Sequence, residues 1–182
     1  MTSLKINEIA KVLKPLSSEQ EANAAVAILL KPDNKDIKIL FVKRTENPKD
    51  SWSGQIALPG GKRNPKDRNL KETVLREILE ETGINLLDGC KFLGVTNPVR
   101  SRLNPEIKVL PFVFLLEHEP LIHLNTDELE RYYWIRIGDL IKNERTSKFR
   151  SRMHPAFIIE DIRIWGLTFR ILKGFFHALG ID

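Results

Sequence analysis

Apolar positions along the chain change period several times, and each change marks an element. Leu4–Leu13 puts Ile6, Ile9, Ala10 and Leu13 on one side of a short amphipathic helix. Ala24–Leu30 and Ile37–Val42 are apolar runs separated by Pro32-Asp33-Asn34-Lys35, a strand–turn–strand pattern. The polar stretch Arg44–Ser53 leads into a short strand at Gln55–Leu58, stopped by Pro59-Gly60-Gly61. A strongly charged helix is expected over Leu70–Thr82, with Asn69 as N-cap, Glu72 completing a capping box and Gly83 as a left-handed C-terminal cap.

Beyond the helix, Phe92–Val95 and Val109–Leu116 read as strands around the Arg-containing loop Asn97–Glu106. Arg131–Ile135 is a further strand, followed by a short helix at Ile137–Ile141. Lys142–Arg152 is polar and basic. Phe157–Ile159 and Ile162–Ile164 flank Glu160-Asp161 as a hairpin, and a helix from Gly166 to Leu179 closes the chain. Strands before and after helices make the class α/β, a mixed sheet layered with helices.

Length and composition narrow the picture. The 182 residues, 42% hydrophobic and 29% charged, suit one compact soluble domain over 1–182. The longest apolar run, Val109–Leu116, is interrupted by Pro111 and is far short of a membrane span. Met1–Leu16 mixes Lys5, Glu8, Lys11 and Lys14 with its apolar residues, unlike a signal peptide. The one cysteine, Cys90, excludes an internal disulfide, so a cytoplasmic location is expected. A net charge of +5 suits an anionic small-molecule ligand; it suits weak nucleic-acid affinity or a plain solvated surface equally well. His118, His123, His154 and His177 show no metal-ligand spacing and read as structural, and Cys90 reads as a small hydrophobe.

The chemistry lies on the charged helix. Glu77, Glu80 and Glu81 recur at spacings of three and four, which puts all three on one face. Such like charges repel unless something compensates them, and a hard divalent cation with oxygen ligands does so. Arg76 is placed to pair with Glu72 or Glu80. A solvated acidic face is the bland alternative. It is outweighed by the accompanying Gly-Gly loop, arginine and cap glycine.

These residues resemble the Nudix box, Gly-x5-Glu-x7-Arg-Glu-aliphatic-x-Glu-Glu-x-Gly-aliphatic. Here the pattern is Gly61, five residues, Asp67, eight residues, then Arg76-Glu77-Ile78-Leu79-Glu80-Glu81-Thr82-Gly83-Ile84. The second half is complete. In the first, Asp67 stands where the family has Glu, and the spacer to Arg76 is one residue longer, so the role of Asp67 is left open. The resemblance implies a Nudix α/β/α sandwich. It further implies hydrolysis of a pyrophosphate bond with Mg²⁺ or Mn²⁺ held by Glu77, Glu80, Glu81 and the turn at Gly61, with Arg76 orienting the acids. The general base varies in the family between a box glutamate and an acid from a distant loop. Asp127, Glu128 and Glu130 are the distant candidates here, with Glu128 first.

Lys43-Arg44-Thr45 and Trp52-Ser53-Gly54-Gln55-Ile56-Ala57-Leu58-Pro59-Gly60-Gly61 are similar to the segment entering the box in the coenzyme A pyrophosphatase branch. Trp165-Gly166-Leu167-Thr168-Phe169-Arg170 is similar to that branch's C-terminal helix start. The fuller signature has a further Arg and a His before Gly-Gln, where this chain has Glu46–Trp52 instead. Despite that departure, the resemblance makes coenzyme A the leading substrate, with Arg44, Trp52, Gln55, Gly60, Arg100 and Arg102 as substrate-binding candidates. ADP-ribose or another dinucleotide, an ordinary or oxidised nucleoside triphosphate, and a non-catalytic nucleotide-sensing or RNA-contacting scaffold are the rivals. The resemblance also allows a homodimer, though no residue demands one.

Overall fold

The computed structural model describes residues 6–17, 21–34, 36–49, 52–149 and 152–181. Leu4 and Lys5 of the first expected helix and Lys35 of the first turn lie outside them. Helix α1 spans Ile6–Val12. Strands β1 (Ala24–Asp33) and β2 (Asp36–Arg44) form the first hairpin. Two short strands, β3 (Ile56–Ala57) and β4 (Gly60–Lys62), precede helix α2 (Leu70–Thr82). Then come β5 (Cys90–Val95), β6 (Val99–Arg100), β7 (Lys108–Leu116) and β8 (Leu129–Arg136). The chain continues with α3 (Ile137–Lys142), β9 (Glu144–Phe149), β10 (Arg152–Ile159), β11 (Ile162–Trp165) and α4 (Gly166–Ala178).

The main sheet runs β3-β2-β1-β7-β5, with β8 also pairing β2, β4 pairing β1 and β6 pairing β7. It is mixed: β1 and β7 are parallel, in register from Ala24 opposite Val109 to Leu30 opposite Leu115, and the other pairs are antiparallel. Strands β11-β10-β9 form a second, antiparallel sheet.

Both faces of the main sheet are covered, which explains why β1 and β7 are almost wholly apolar rather than alternating. Along β1, Ala25, Ala27 and Leu29 pack with Val74 and Ile78 of α2. The intervening Ala24, Ile28 and Leu30 point the other way, into a larger core with Leu140 of α3, Phe157 of β10 and Phe169, Leu172, Phe175 and Phe176 of α4. The result is the expected α/β/α sandwich, with a mixed sheet between helices.

Three local departures have physical causes. Lys142–Arg152, a stretch without an apolar pattern, contains β9; its strand order comes from backbone pairing with β10, Arg145 opposite Ala156 and Glu144 opposite Phe157. The glycines after Pro59 do not end the sheet: Gly60 and Gly61 pair with Val26 and Ala25 as β4. In the Asn97–Glu106 loop, Val99 and Arg100 pair with the start of β7. Among the described residues, no helix is long and apolar enough to cross a membrane.

Candidate active site

Helix α2 carries the acids because its ends are well set. Asn69 is extended and accepts from the Glu72 backbone N–H at 3.0 Å. Gly83 is left-handed and donates to the Leu79 carbonyl at 2.9 Å. The capping box closes one residue early: the Glu72 carboxylate accepts from the Arg68 backbone N–H at 2.7 Å and pairs with the Arg68 side chain. This corrects one option for Arg76, whose helix partner is Glu80 rather than Glu72.

Arg76 is the hub of the box. Its Nε and Nη2 donate to the two oxygens of Asp67 at 3.0 and 2.9 Å, while Nη1 donates to Glu77 at 2.7 Å and Glu80 at 3.0 Å. Asp67 is buried and also accepts from the Asn64 backbone N–H and the Thr73 hydroxyl. The arginine beside it holds its carboxyl well below the usual carboxylate range. So Asp67 anchors the arginine that orients the acids. The sequence marked it only as a departure from the pattern.

The Gly60-Gly61 turn lies under the acids because only glycine fits there. Gly60 has φ +136, and a Cβ would stand 2.3 Å from the Ala25 carbonyl oxygen. A Cβ on Gly61 would stand 2.5 Å from the Glu77 carboxylate. The Gly60 N–H donates to Glu81 at 2.8 Å. Glu81 is 3% exposed, and burial pushes its carboxyl up to about 8 despite that hydrogen bond and the charge of Arg44. Glu77 is also raised by burial, against the pull of Arg76. The charge of Glu128 raises both.

These groups line one cleft of about 420 Å³, an ordinary size for a small-molecule site. Arg44, Trp52, Gln55, Glu77, Glu81 and Glu128 face it, over Gly60 and Gly61. Of the three distant acids, Glu128 alone lines the cleft. Glu130 pairs with Lys43 at 2.9 Å, and Asp127 sits at the surface. The remaining candidates lie outside: Glu80 is more than half exposed on the helix, and Arg100 is exposed and donates to the Pro105 carbonyl. Arg102 lines a neighbouring hollow. Cys90 is half-buried, its thiol pushed up to about 11 by burial, and the four histidines stand apart from the cleft.

Among the described residues no three carboxylate, imidazole or thiol groups are drawn around one point. Glu77 and Glu80 are instead held by Arg76, and Glu81 by Gly60. The donor set still fits a hard divalent cation. It is all oxygen, it includes two carboxyls whose burial disfavours their charge, and it sits against a glycine turn with no side chain in the way.

Comparison with known proteins agrees with this geometry. The model of the NUDIX domain matches residues 21–157. The peroxisomal coenzyme A diphosphatase ndx-8 of Caenorhabditis elegans is 31% identical over 137 residues, 74% of this chain and 57% of that protein. The chain thus spans little more than half that relative's length. The Nudix hydrolase NudL of Yersinia enterocolitica is 29% identical over 171 residues, 86% of this chain and 80% of that one. The crystal structure of a MutT protein from Methanosarcina mazei Go1 superposes with a TM-score of 0.55 at 25% identity, over 90% of this chain and 96% of its own. With a family model covering most of its length, and with Gly61, Glu77 and Glu81 of the box lining one cleft, the chain belongs to the Nudix hydrolase family.

Proposed function

We propose that this protein hydrolyses the pyrophosphate bond of a nucleoside-diphosphate derivative with Mg²⁺ or Mn²⁺, and that coenzyme A and its thioesters are the substrates. The observation that carries the reaction is the meeting of Glu77, Glu81 and Glu128 with Arg44 and Gln55 in one cleft above the Gly60-Gly61 turn. Likeness to a coenzyme A diphosphatase supports the choice of substrate.

Glu77, Glu80 and Glu81 would hold the cation, with the Gly61 turn beside them. Once bound, it would neutralise diphosphate charge and favour ionisation of water. Arg44, a fixed positive charge at the cleft wall, orients a diphosphate by paired hydrogen bonds. Gln55 offers a neutral amide beside it, and Trp52 a flat apolar wall for a base or the pantetheine chain. Arg76 keeps Glu77 and Glu80 turned to one side. Glu128 accepts a proton from the attacking water. That water's oxygen bonds to a phosphorus, the bridging P–O bond breaks, and 4′-phosphopantetheine and 3′-phosphorylated AMP leave. The half-buried lone cysteine fits a reducing, cytoplasmic setting.

The test is product analysis with either metal, on a panel of coenzyme A, acetyl-coenzyme A, ADP-ribose, NADH, diadenosine polyphosphates, dGTP and 8-oxo-dGTP. Selective release of 4′-phosphopantetheine products is the expected result. Preference for another compound removes coenzyme A as substrate and leaves the reaction. No cleavage with either metal removes the enzyme reading in favour of a nucleotide-binding scaffold.

A further inference from the structure

Among the described residues one buried side-chain polar atom has no hydrogen-bond partner, Nε of Arg170. Arg170 lies in the first turns of α4, and its Nη2 donates to the Arg100 backbone carbonyl at 2.7 Å. That bond fixes the guanidinium plane and leaves Nε as a donor without an acceptor. Buried donors are rarely left so, because the lost hydration is not replaced.

Arg170 lines a hollow of about 220 Å³ together with Arg102, Ser101, His154 and Trp165. The hollow adjoins the candidate active-site cleft: Trp52, Gln55 and Leu167 border both. No aspartate or glutamate is among its described lining residues. Burial and the charge of Arg102 both lower the guanidinium of Arg170, so two cations face one space with no described acid between them. Neither arginine forms an ion pair with a described carboxylate. An anion would satisfy the Nε donor and relieve the repulsion together.

We propose that this hollow is a second anion site, in which Arg170 Nε and Arg102 receive a monophosphate carried on the nucleoside, apart from the diphosphate that is cut. The proposal rests on the coenzyme A reading, since coenzyme A bears a 3′-monophosphate and ADP-ribose does not. It gives the substrate two phosphate anchors on either side of Trp52 and Gln55. Arg44 serves the scissile group, and Arg102 with Arg170 the remote one. Within the reaction this is a specificity element, acting on the choice of substrate rather than on the bond broken.

The experiment compares kcat/KM for coenzyme A and dephospho-coenzyme A in the wild type, Arg102→Gln, Arg170→Gln and Arg170→Lys. Arg145→Gln, on β9 outside both cavities, serves as the control. A charged hydrogen bond to phosphate sets the scale, so the wild type should prefer coenzyme A by about 10- to 100-fold. Arg102→Gln and Arg170→Gln should remove most of that preference, lowering kcat/KM for coenzyme A far more than for dephospho-coenzyme A. Arg170→Lys, which keeps the charge, should retain part of it. A merely structural arginine would lower both substrates alike, which overturns the proposal, as does a wild type that treats both compounds equally. If neither compound is cleaved, the coenzyme A reading falls by itself. The hollow is then decided by calorimetric binding of adenosine 3′,5′-bisphosphate against 5′-AMP. A preference for the bisphosphate that is lost in Arg102→Gln upholds the site, and equal binding overturns it.

Discussion

Asp67 and Arg76 form a two-point pair, Nε to Oδ1 at 3.0 Å and Nη2 to Oδ2 at 2.9 Å, and through it a loop residue holds an arginine of the acidic helix. Asp67 is buried, and the same arginine reaches Glu77 and Glu80. Asp67→Asn should therefore lower turnover by about 10- to 100-fold, the usual scale for a residue supporting metal ligands. Steady-state kinetics with Mg²⁺ in excess would show it, and wild-type turnover would remove the anchoring role.

The same pair makes a pH statement. The folded carboxyl of Asp67 is held below its unfolded value. Its contribution to stability is thus complete above the unfolded value, roughly pH 4, and fades as pH falls below it. Urea unfolding of wild type and Asp67→Asn should differ most at pH 6, and the gap should narrow steadily as pH falls from about 4 to about 2. A gap that stays constant over that range would point to packing rather than charge.

Glu81 titrates the other way. Its folded carboxyl sits at about 8, above the unfolded value, so the metal-free protein should lose stability as pH rises from roughly 4.5 to 8 and then level off. Ligating a cation requires the anion, so Mn²⁺ binding at pH 7 should release about one proton from this group. Calorimetry in buffers of different ionisation enthalpy measures that release. No dependence on buffer would remove Glu81 from the ligand set. Glu81→Gln should cut turnover by orders of magnitude with the fold intact.

Glu128→Gln separates base from ligand. Loss of a general base lowers kcat by about 10²- to 10⁴-fold and removes the acid limb of the pH–rate profile, while Mn²⁺ affinity stays near wild type. A weakened affinity with the limb retained would make Glu128 a ligand and return the base to the box.

The two glycines of the turn should fail differently. Gly60→Ala meets backbone, the Ala25 carbonyl oxygen at 2.3 Å, with φ +136; the strained backbone alone costs about 1–3 kcal/mol. Gly61→Ala meets the Glu77 carboxylate, which can swing away. Thermal melts should show Gly60→Ala as the less stable, and kinetics should show Gly61→Ala losing activity out of proportion to stability. The reverse order would misplace the turn.

Much of this was legible in the residues. The period of α2, its Asn69 and Gly83 caps, and the spacing of Glu77, Glu80 and Glu81 are local properties of a helix, and they appear where the pattern puts them. The β1–β2 hairpin and the terminal helix are equally local. Strand β9 was not legible, since its polar residues become a strand only by pairing with β10. Glu128 was one of three neighbouring acids, and nothing local distinguishes it. The antiparallel pairing of β8 with β2 and the Thr45 N–H donating to the Glu128 carbonyl bring it to Arg44 and the box.

What the sequence determined by itself was therefore the mixed α/β class and the acidic face of one helix, because short-range periodicity and backbone caps encode them, while the resemblance of its box residues implied the family and the sandwich. Tertiary structure alone decided three things: that Asp67 anchors Arg76, that Arg100 turns away to Pro105, and that Arg102 and Arg170 share a hollow beside Trp52. Each depends on side chains brought together from separate elements, and on burial, which sets the cost of leaving a charge or a donor without a partner.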